Sequence, residues 1–401
     1  MSAVRLMKTN KMKKNLLFVI PGLGAGGAEK SLVNLLNAID EENYSIDLLL
    51  FSDTGLFFSQ IPKYVNVIKP DGDFKVFQKP LPVALASFFF RGKVEQLMAR
   101  FRFFIKNNFG TSKAIGEQLS WEDLSKCLKP IEKKYDTAIA FLEKTAVYIV
   151  VDKVIADKKI AFIHNDYSKL GLNFNFDKPY FDRLDCLATV SEECGLVLKA
   201  LMPNNRVEVV YNLTSKKLIN SLAEQEKVPR VAETELLSIG RLDPQKGFDL
   251  ALKAAATLKS QGLNFVWRII GEGAERGFLE TKIKEMMLQD HVKLLGLQKN
   301  PYPFLKNCDI YVQPSRFEGK SIAIDEAMLL GKPIVVTDFS TARDQITDGF
   351  TGLIAEMSPD SLAEKILTLS RNTAQRKMLS DNLKNIPDRS GDILKKFYTI
   401  L

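Results

Sequence analysis

Little in this chain of 401 residues suits metal or disulfide chemistry: it holds only two histidines and four cysteines. Cys127, Cys186, Cys194 and Cys308 form no Cys-x-x-Cys pair and no zinc spacing. With His164 and His291 as the sole imidazoles, no structural metal cluster is expected. Cysteines scattered through a chain this long read as reduced core residues, which points to a cytosolic compartment. Long hydrophobic runs are also missing, and no stretch approaches the roughly 20 apolar residues of a membrane span. Behind the basic stretch Met1–Asn15, the run Leu16–Ile20 is too short for a signal-peptide core and ends at Pro21-Gly22. The chain is therefore expected to be soluble or peripheral to a membrane. Short repeats and low-complexity tracts are absent too.

What is present is ordinary globular material. Hydrophobic residues make up 46%, enough for two separate cores. The formal charge of +8 favours polyanionic partners: nucleic acid, an anionic membrane surface or a phosphorylated substrate.

The hydrophobic pattern predicts two α/β halves. Leu16–Ile20 reads as a strand buried on both faces, followed by a glycine turn (Gly22 to Gly27), a helix (Ala28–Ala38) and a strand (Ser45–Phe51). Further strands are predicted at Thr137–Leu142, Lys159–His164, Cys186–Val190 and Val207–Tyr211. A second series begins at Glu235–Ile239. It continues through a helix (Phe248–Gln261), a strand (Asn264–Ile270), a helix (Ala274–Leu288), strands at Val292–Leu295 and Ile310–Gln313, a helix (Ser321–Leu330) and a strand (Pro333–Thr337). The polar stretch Ser215–Thr234, with Pro229, reads as a linker. Ligands of such sheets bind beyond the C-terminal strand ends.

Three motifs fall at those ends. In Ser315-Arg-Phe-Glu318-Gly319-Lys320-Ser321-Ile-Ala-Ile-Asp-Glu326, two glutamates stand eight positions apart. Glu318 lies in the loop after a strand, and Glu326 inside a helix whose N-terminus offers free N–H groups to an anion. A diphosphate seated there puts Glu318 near a sugar and Glu326 near a ribose, because a carboxylate accepts two hydrogen bonds from a vicinal diol; the bland alternative for Glu326 is a solvated helix residue. Gly240-Arg241-Leu-Asp-Pro-Gln-Lys246-Gly247 brings two cations to a tight connection, suited to phosphate or simply to solvent. Ile269-Ile-Gly271-Glu-Gly273 leaves bare backbone for a flat nucleobase, although glycine after a strand often marks only a turn.

In this order the motifs resemble the C-terminal domain of retaining family-4 glycosyltransferases. The likeness runs almost continuously over residues 235–356, including Asn300-Pro-Tyr-Pro-Phe-Leu-Lys-Asn-Cys-Asp309 and Gly331-Lys-Pro-Ile-Val335. It implies the GT-B fold, two Rossmann-like parallel-sheet domains facing a central cleft. Residues 1–214 would form an acceptor-binding domain, 215–234 the linker and 235–385 a donor-binding domain, with 386–401 a helix crossing back to the first domain. The implied donor is a nucleoside-diphosphate sugar, usually of uridine. Arg241 and Lys246 would then neutralise the diphosphate, Glu318 contact the transferred sugar and Glu326 the ribose. Gly240, Gly271, Gly273, Gly319, Lys320 and Ser321 would complete the donor site. The Gly319-Lys320-Ser321 turn departs from the commoner apolar version, which leaves the sugar's identity open.

Gly22-Leu-Gly24-Ala-Gly26-Gly27 also satisfies GxGxxG, and Asp53 lies near the end of the next strand, as in NAD-dependent oxidoreductases. The resembled family carries a similar turn, matched by Gly26-Gly27-Ala28-Glu29, which approaches the donor phosphates and the acceptor. A histidine at the position of His164 lines the active site in that family, its partner here being Asp166 or a backbone carbonyl. Glu143, Asn165 and Asp166 are candidates to face the acceptor.

Protein cations in place of a metal imply that no cofactor or divalent ion is needed. Asp71-Gly-Asp73 matches a metal motif only by letter. Retention of configuration is expected, with a leaving-group oxygen assisting the acceptor, because no nucleophilic carboxylate for a double displacement is identifiable. The segment 81–110 interleaves Phe88, Phe89, Phe90, Phe101, Phe103, Phe104 and Phe109 with Arg91, Lys93, Arg100, Arg102 and Lys106. It reads either as core-packed helices with solvated faces or as a contact with an anionic cytoplasmic leaflet. On the second reading the acceptor is a lipid-linked saccharide in the assembly of a bacterial capsule, O-antigen or exopolysaccharide. No nucleic-acid-binding module is recognisable. The competing functions are a sugar-nucleotide epimerase of the same fold, an NAD oxidoreductase and a catalytically inert binding protein.

Overall fold

The structure, a computed structural model, describes residues 13–70, 72–109 and 113–401. Most of the basic N-terminal stretch and Asp71 of the letter-match motif lie outside the described residues.

The first sheet has seven strands: β1 Lys14–Val19, β2 Tyr44–Leu49, β3 Asn66–Ile68, β4 Ile131–Ala140, β5 Val154–Ile163, β6 Cys186–Thr189 and β7 Val207–Val209. They run parallel in the order β3-β2-β1-β4-β5-β6-β7. Leu16 to Val19 have no exposure because helices cover both faces of the sheet. In the first helix, Gly27–Ala38, Leu32, Val33, Leu35 and Leu36 recur at helical spacing and are buried.

The second sheet has six: β8 Thr234–Ile239, β9 Phe265–Ile270, β10 Val292–Leu294, β11 Ile310–Gln313, β12 Ile334–Thr337 and β13 Leu353–Ala355, all parallel, in the order β10-β9-β8-β11-β12-β13. Both sheets reverse order beside their first strand, at β1/β4 and at β8/β11. A crevice opens at such a switch point, beyond the C-terminal strand ends. This is the GT-B arrangement of two Rossmann-like domains.

Several short elements escaped the pattern. Among them, β3 and β13 have three residues each. The stretch 215–234 contains the helix Lys216–Ala223, capped by the Ser215 side chain, and its Ile219 and Ala223 are buried in the core of the second domain. The last helix, Ser390–Ile400, inserts Phe397 and Ile400 into the first domain's core beside Phe18.

Candidate functional site

A cavity of about 240 Å³ lies between the domains and is lined by loops at the C-terminal ends of both sheets. Among the predicted residues it takes in Gly26, Gly27, Glu143, His164, Asn165, Gly240, Arg241, Lys246, Gly271, Glu318, Gly319, Lys320, Ser321 and Glu326. Asp166 and Gly273 do not line it. Gly273 instead packs its backbone against that of Leu242, where a Cβ would overlap the Leu242 carbonyl.

Glu318 is 4% exposed. Three donors converge on its Oε1: Lys246 Nζ at 2.6 Å, Ser315 Oγ at 2.6 Å and Gln313 Nε2 at 3.1 Å. Gln313 ends β11 and Ser315 begins the next loop, so strand and loop together clamp the carboxylate. Lys246 arrives from the short turn Pro244–Lys246, which the Asp243 side chain caps. No described donor bonds Oε2 of Glu318.

Glu326 is 1% exposed, which overturns the alternative of a solvated helix residue. Its Oε1 accepts from Tyr302 Oη at 2.9 Å and pairs with the ammonium of Lys30, which belongs to the first domain. The signal for Tyr302 lay within the quoted Asn300–Asp309 stretch. Lys30 lies three residues past the glycine turn, and nothing local gave it a partner near residue 326.

The anion side differs from expectation in two places. The Ser321 backbone N–H, expected to face a phosphate, donates to Gln345 Oε1 at 2.9 Å. Lys320 donates to Asp325 Oδ1 at 2.9 Å and lies over the Tyr211 ring. What remains is Arg241, more than half exposed with Asp243 as its ion-pair partner, Lys246, and the first-turn N–H groups that the helix Ile322–Leu329 leaves unpaired.

On the facing wall His164 ends in a pocket of rings, 4.9 Å from Phe141 and 5.8 Å from Phe162 between centroids. Its Nε2 is buried and, among the described residues, has no hydrogen-bond partner. Burial pushes its pKa down to about 3, so the imidazole is neutral at physiological pH. Among the described residues, no hydrogen bond links its ring to Asp166 or to a backbone carbonyl. Asp166 Oδ1 instead accepts from the Ser168 N–H at 3.0 Å and Ser168 Oγ at 2.6 Å, capping the following turn. Glu143 turns inward, and its Oε1 accepts from the backbone N–H groups of His164 at 2.6 Å and Asn165 at 3.1 Å. Burial raises the Glu143 pKa against those bonds. Both carboxylates thus tie down backbone, because an unpaired N–H at a buried strand end is costly.

The glycine turn is filled from within. Glu29 folds back over Gly26, where any Cβ would overlap its carboxylate. Burial raises the Glu29 pKa, opposed by its own backbone N–H and by Arg241. Asp53, the ribose residue of the oxidoreductase reading, is exposed and ion-paired with Lys69. Neither feature that motivated that reading offers a dinucleotide site.

The two walls touch. Gly319 lies against the backbone of His164 and Asn165 so closely that a Cβ would overlap the His164 carbonyl oxygen. Gln245 Nε2 donates to Asn165 Oδ1 at 3.4 Å, and Asn212 Nδ2 to the Lys320 carbonyl at 3.4 Å.

Residues 221–386 match the protein family described as glycosyl transferases group 1. An uncharacterized glycosyltransferase of Methanocaldococcus jannaschii, MJ1178, is 31% identical over 186 residues, 45% of this chain and 48% of that protein, so the match spans about half of its length. The N-acetylgalactosamine-N,N'-diacetylbacillosaminyl-diphospho-undecaprenol 4-alpha-N-acetylgalactosaminyltransferase of Campylobacter jejuni is 32% identical over 264 residues, 62% of this chain and 71% of that enzyme. Among solved structures, Alr3699/HepE of Anabaena, in complex with UDP and glucose, superposes with a TM-score of 0.67, covering 96% of this chain and 98% of that one at 18% identity. That last likeness concerns the fold.

Proposed function

The chain belongs to the group 1 glycosyl transferases and is a glycosyltransferase, and we propose that it moves a hexose or N-acetylhexosamine from a UDP-sugar to a lipid-linked saccharide, with retention, in building a bacterial cell-surface polysaccharide. The observation that carries this reading is the convergence of Lys246, Arg241, Glu318 and Glu326 on one interdomain cavity at the C-terminal strand ends. A uridine donor is favoured because the Anabaena neighbour holds UDP. A lipid-linked acceptor is favoured because the Campylobacter enzyme's name specifies a diphospho-undecaprenol substrate.

In the proposed step the bond between the sugar's anomeric carbon and the β-phosphate oxygen breaks. A bond to the acceptor oxygen forms on the same face, and the acceptor proton passes to the leaving phosphate, giving UDP. Positive charge develops on the sugar and negative charge on the leaving group, and groups placed for those charges lower the barrier. Arg241, Lys246 and the helix N-terminus face the phosphates, Glu318 faces the sugar and Glu326 holds the ribose. Neutral His164 serves as a hydrogen-bonding group near the sugar and not as a cation. Lys246 has to share its contact with Glu318 once a diphosphate arrives.

With protein cations opposite the diphosphate, transfer proceeds without a divalent ion. A panel of UDP-sugars with a polyprenyl-diphosphate saccharide, in excess EDTA, is expected to give one transferred sugar whose anomeric configuration by NMR matches the donor. An inverted linkage, or turnover that returns only with added Mg2+ or Mn2+, would overturn that part of the reading.

Membrane contact is proposed through the helices Leu81–Phe90 and Val94–Phe109. Among the described residues no helix is long and apolar enough to cross a membrane. Phe89 and Phe90, however, are 71% and 85% exposed, and Val94, Met98 and Phe101 are exposed with them. The basic residues are less free than the sequence implied: Arg91 and Lys93 pair with Asp73, and Arg102 and Lys106 with Asp123. Apolar insertion should therefore dominate over charge. Phe89→Asp with Phe90→Asp is expected to abolish co-sedimentation with liposomes, and raising the salt to weaken it only modestly. Unchanged sedimentation of the double variant would remove this surface from consideration.

A further inference from the structure

One contact in the cleft has no part in the function proposed so far. Lys30 stands in the first turn of the helix Gly27–Ala38 and reaches across the interface to Glu326. Its ammonium is enclosed by aromatic faces, 4.7 Å from the centre of the Tyr302 ring and 5.9 Å from that of Phe57. Tyr302 Oη donates to the same carboxylate oxygen. The helix carrying Lys30 meets the one carrying Glu326 where Gly27 faces Ile322. Thus a cation from the acceptor half is built into the donor half.

We propose that Lys30 is a positioning residue for nucleotide binding: with Tyr302 it holds Oε1 of Glu326 and so presents Oε2 to the ribose hydroxyls only when the two domains are closed. This rests on reading Glu326 as the ribose-binding carboxylate. The chemistry follows from burial. A carboxylate with almost no solvent contact needs a counter-charge to remain an acceptor, and its rotamer is set by the donors that hold it. Both donors grip one oxygen, and among the described residues nothing bonds the other. Because Lys30 comes from the opposite domain, ribose binding and closure become two readings of one contact, and opening the cleft takes away the ammonium.

The test is a double-mutant cycle read by UDP calorimetry on the full chain: wild type, Lys30→Met, Glu326→Gln and the double variant, with ligand-free melting as a check of folding. Lys30→Met is expected to raise the UDP Kd about tenfold, the loss of one charge-assisted hydrogen bond. Glu326→Gln should raise it by as much or more, and the double variant should bind no worse than Glu326→Gln alone, since Lys30 acts through that carboxylate. Lys30→Gln, which keeps a donor without the charge, is expected between wild type and Lys30→Met, and it carries the test if the methionine variant does not fold. Unchanged or tighter UDP binding in the Lys30 variants would overturn the proposal, the tighter result making Lys30 a competitor of the ribose. Additive losses would mean that Lys30 acts elsewhere. A normal Kd in Glu326→Gln would defeat the ribose reading itself, and the proposal with it.

Discussion

Glu318→Gln is expected to lower kcat by about 10²–10³, with little change in the KM for the donor. The three described hydrogen bonds to the Glu318 carboxylate converge on a single oxygen. An amide oxygen can accept from Lys246, Ser315 and Gln313 in its place, so the loop should keep its shape and the melting temperature should move by only a few degrees. What the amide cannot supply is negative charge opposite the positive charge that develops on the sugar. Steady-state kinetics beside thermal melting separates the two effects. A kcat within about threefold of wild type would show that the carboxylate only anchors the loop around Lys246.

Gly319→Ala should be nearly as damaging for a different reason. The atoms that a Cβ would overlap are backbone: the His164 carbonyl carbon and oxygen and the Asn165 Cα. Backbone at the end of β5 does not yield as a flexible side chain would, so the walls of the cleft must part. Each domain keeps its own core, centred on residues such as Phe248 and Trp267 in the second and Leu16 and Phe18 in the first. Folding should therefore survive while the reacting groups separate. A displacement of about 1 Å at such an interface can reduce turnover by about 10². The expected result is that loss in kcat, a UDP Kd raised by no more than about tenfold as Lys30 leaves Glu326, and nearly unchanged melting. Wild-type turnover would mean that the closed contact between Gly319 and His164 is not the working arrangement.

The second domain was the more legible half, because its chemistry is local. Arg241, Lys246, Gly271 and Glu318 all sit in loops that follow a buried strand end, and strand ends are what hydrophobic runs mark best. The apolar context around Glu326 likewise signalled a helix facing the interior. Partnerships across the cleft were not legible. Lys30 and Glu326 are separated by nearly the whole fold, and no local pattern links them. Carboxylate direction was equally hidden: Glu143 and Asp166 have the composition of an acceptor site, yet both point at backbone N–H groups that needed partners. The pairing of the segment's basic residues was hidden for the same reason, since Asp73 and Asp123, which pair with them, lie outside it in sequence.

Whether a nucleoside diphosphate binds in the second domain against Glu326 is read from the thermal shift produced by UDP and by NAD on wild type and Glu326→Ala, without metal. At about 100 times its Kd a ligand stabilises the fold by about 2.7 kcal/mol. A clear shift with UDP is expected, with its loss in Glu326→Ala and no shift with NAD. A shift with NAD alone, or a UDP shift indifferent to the substitution, would contradict that binding.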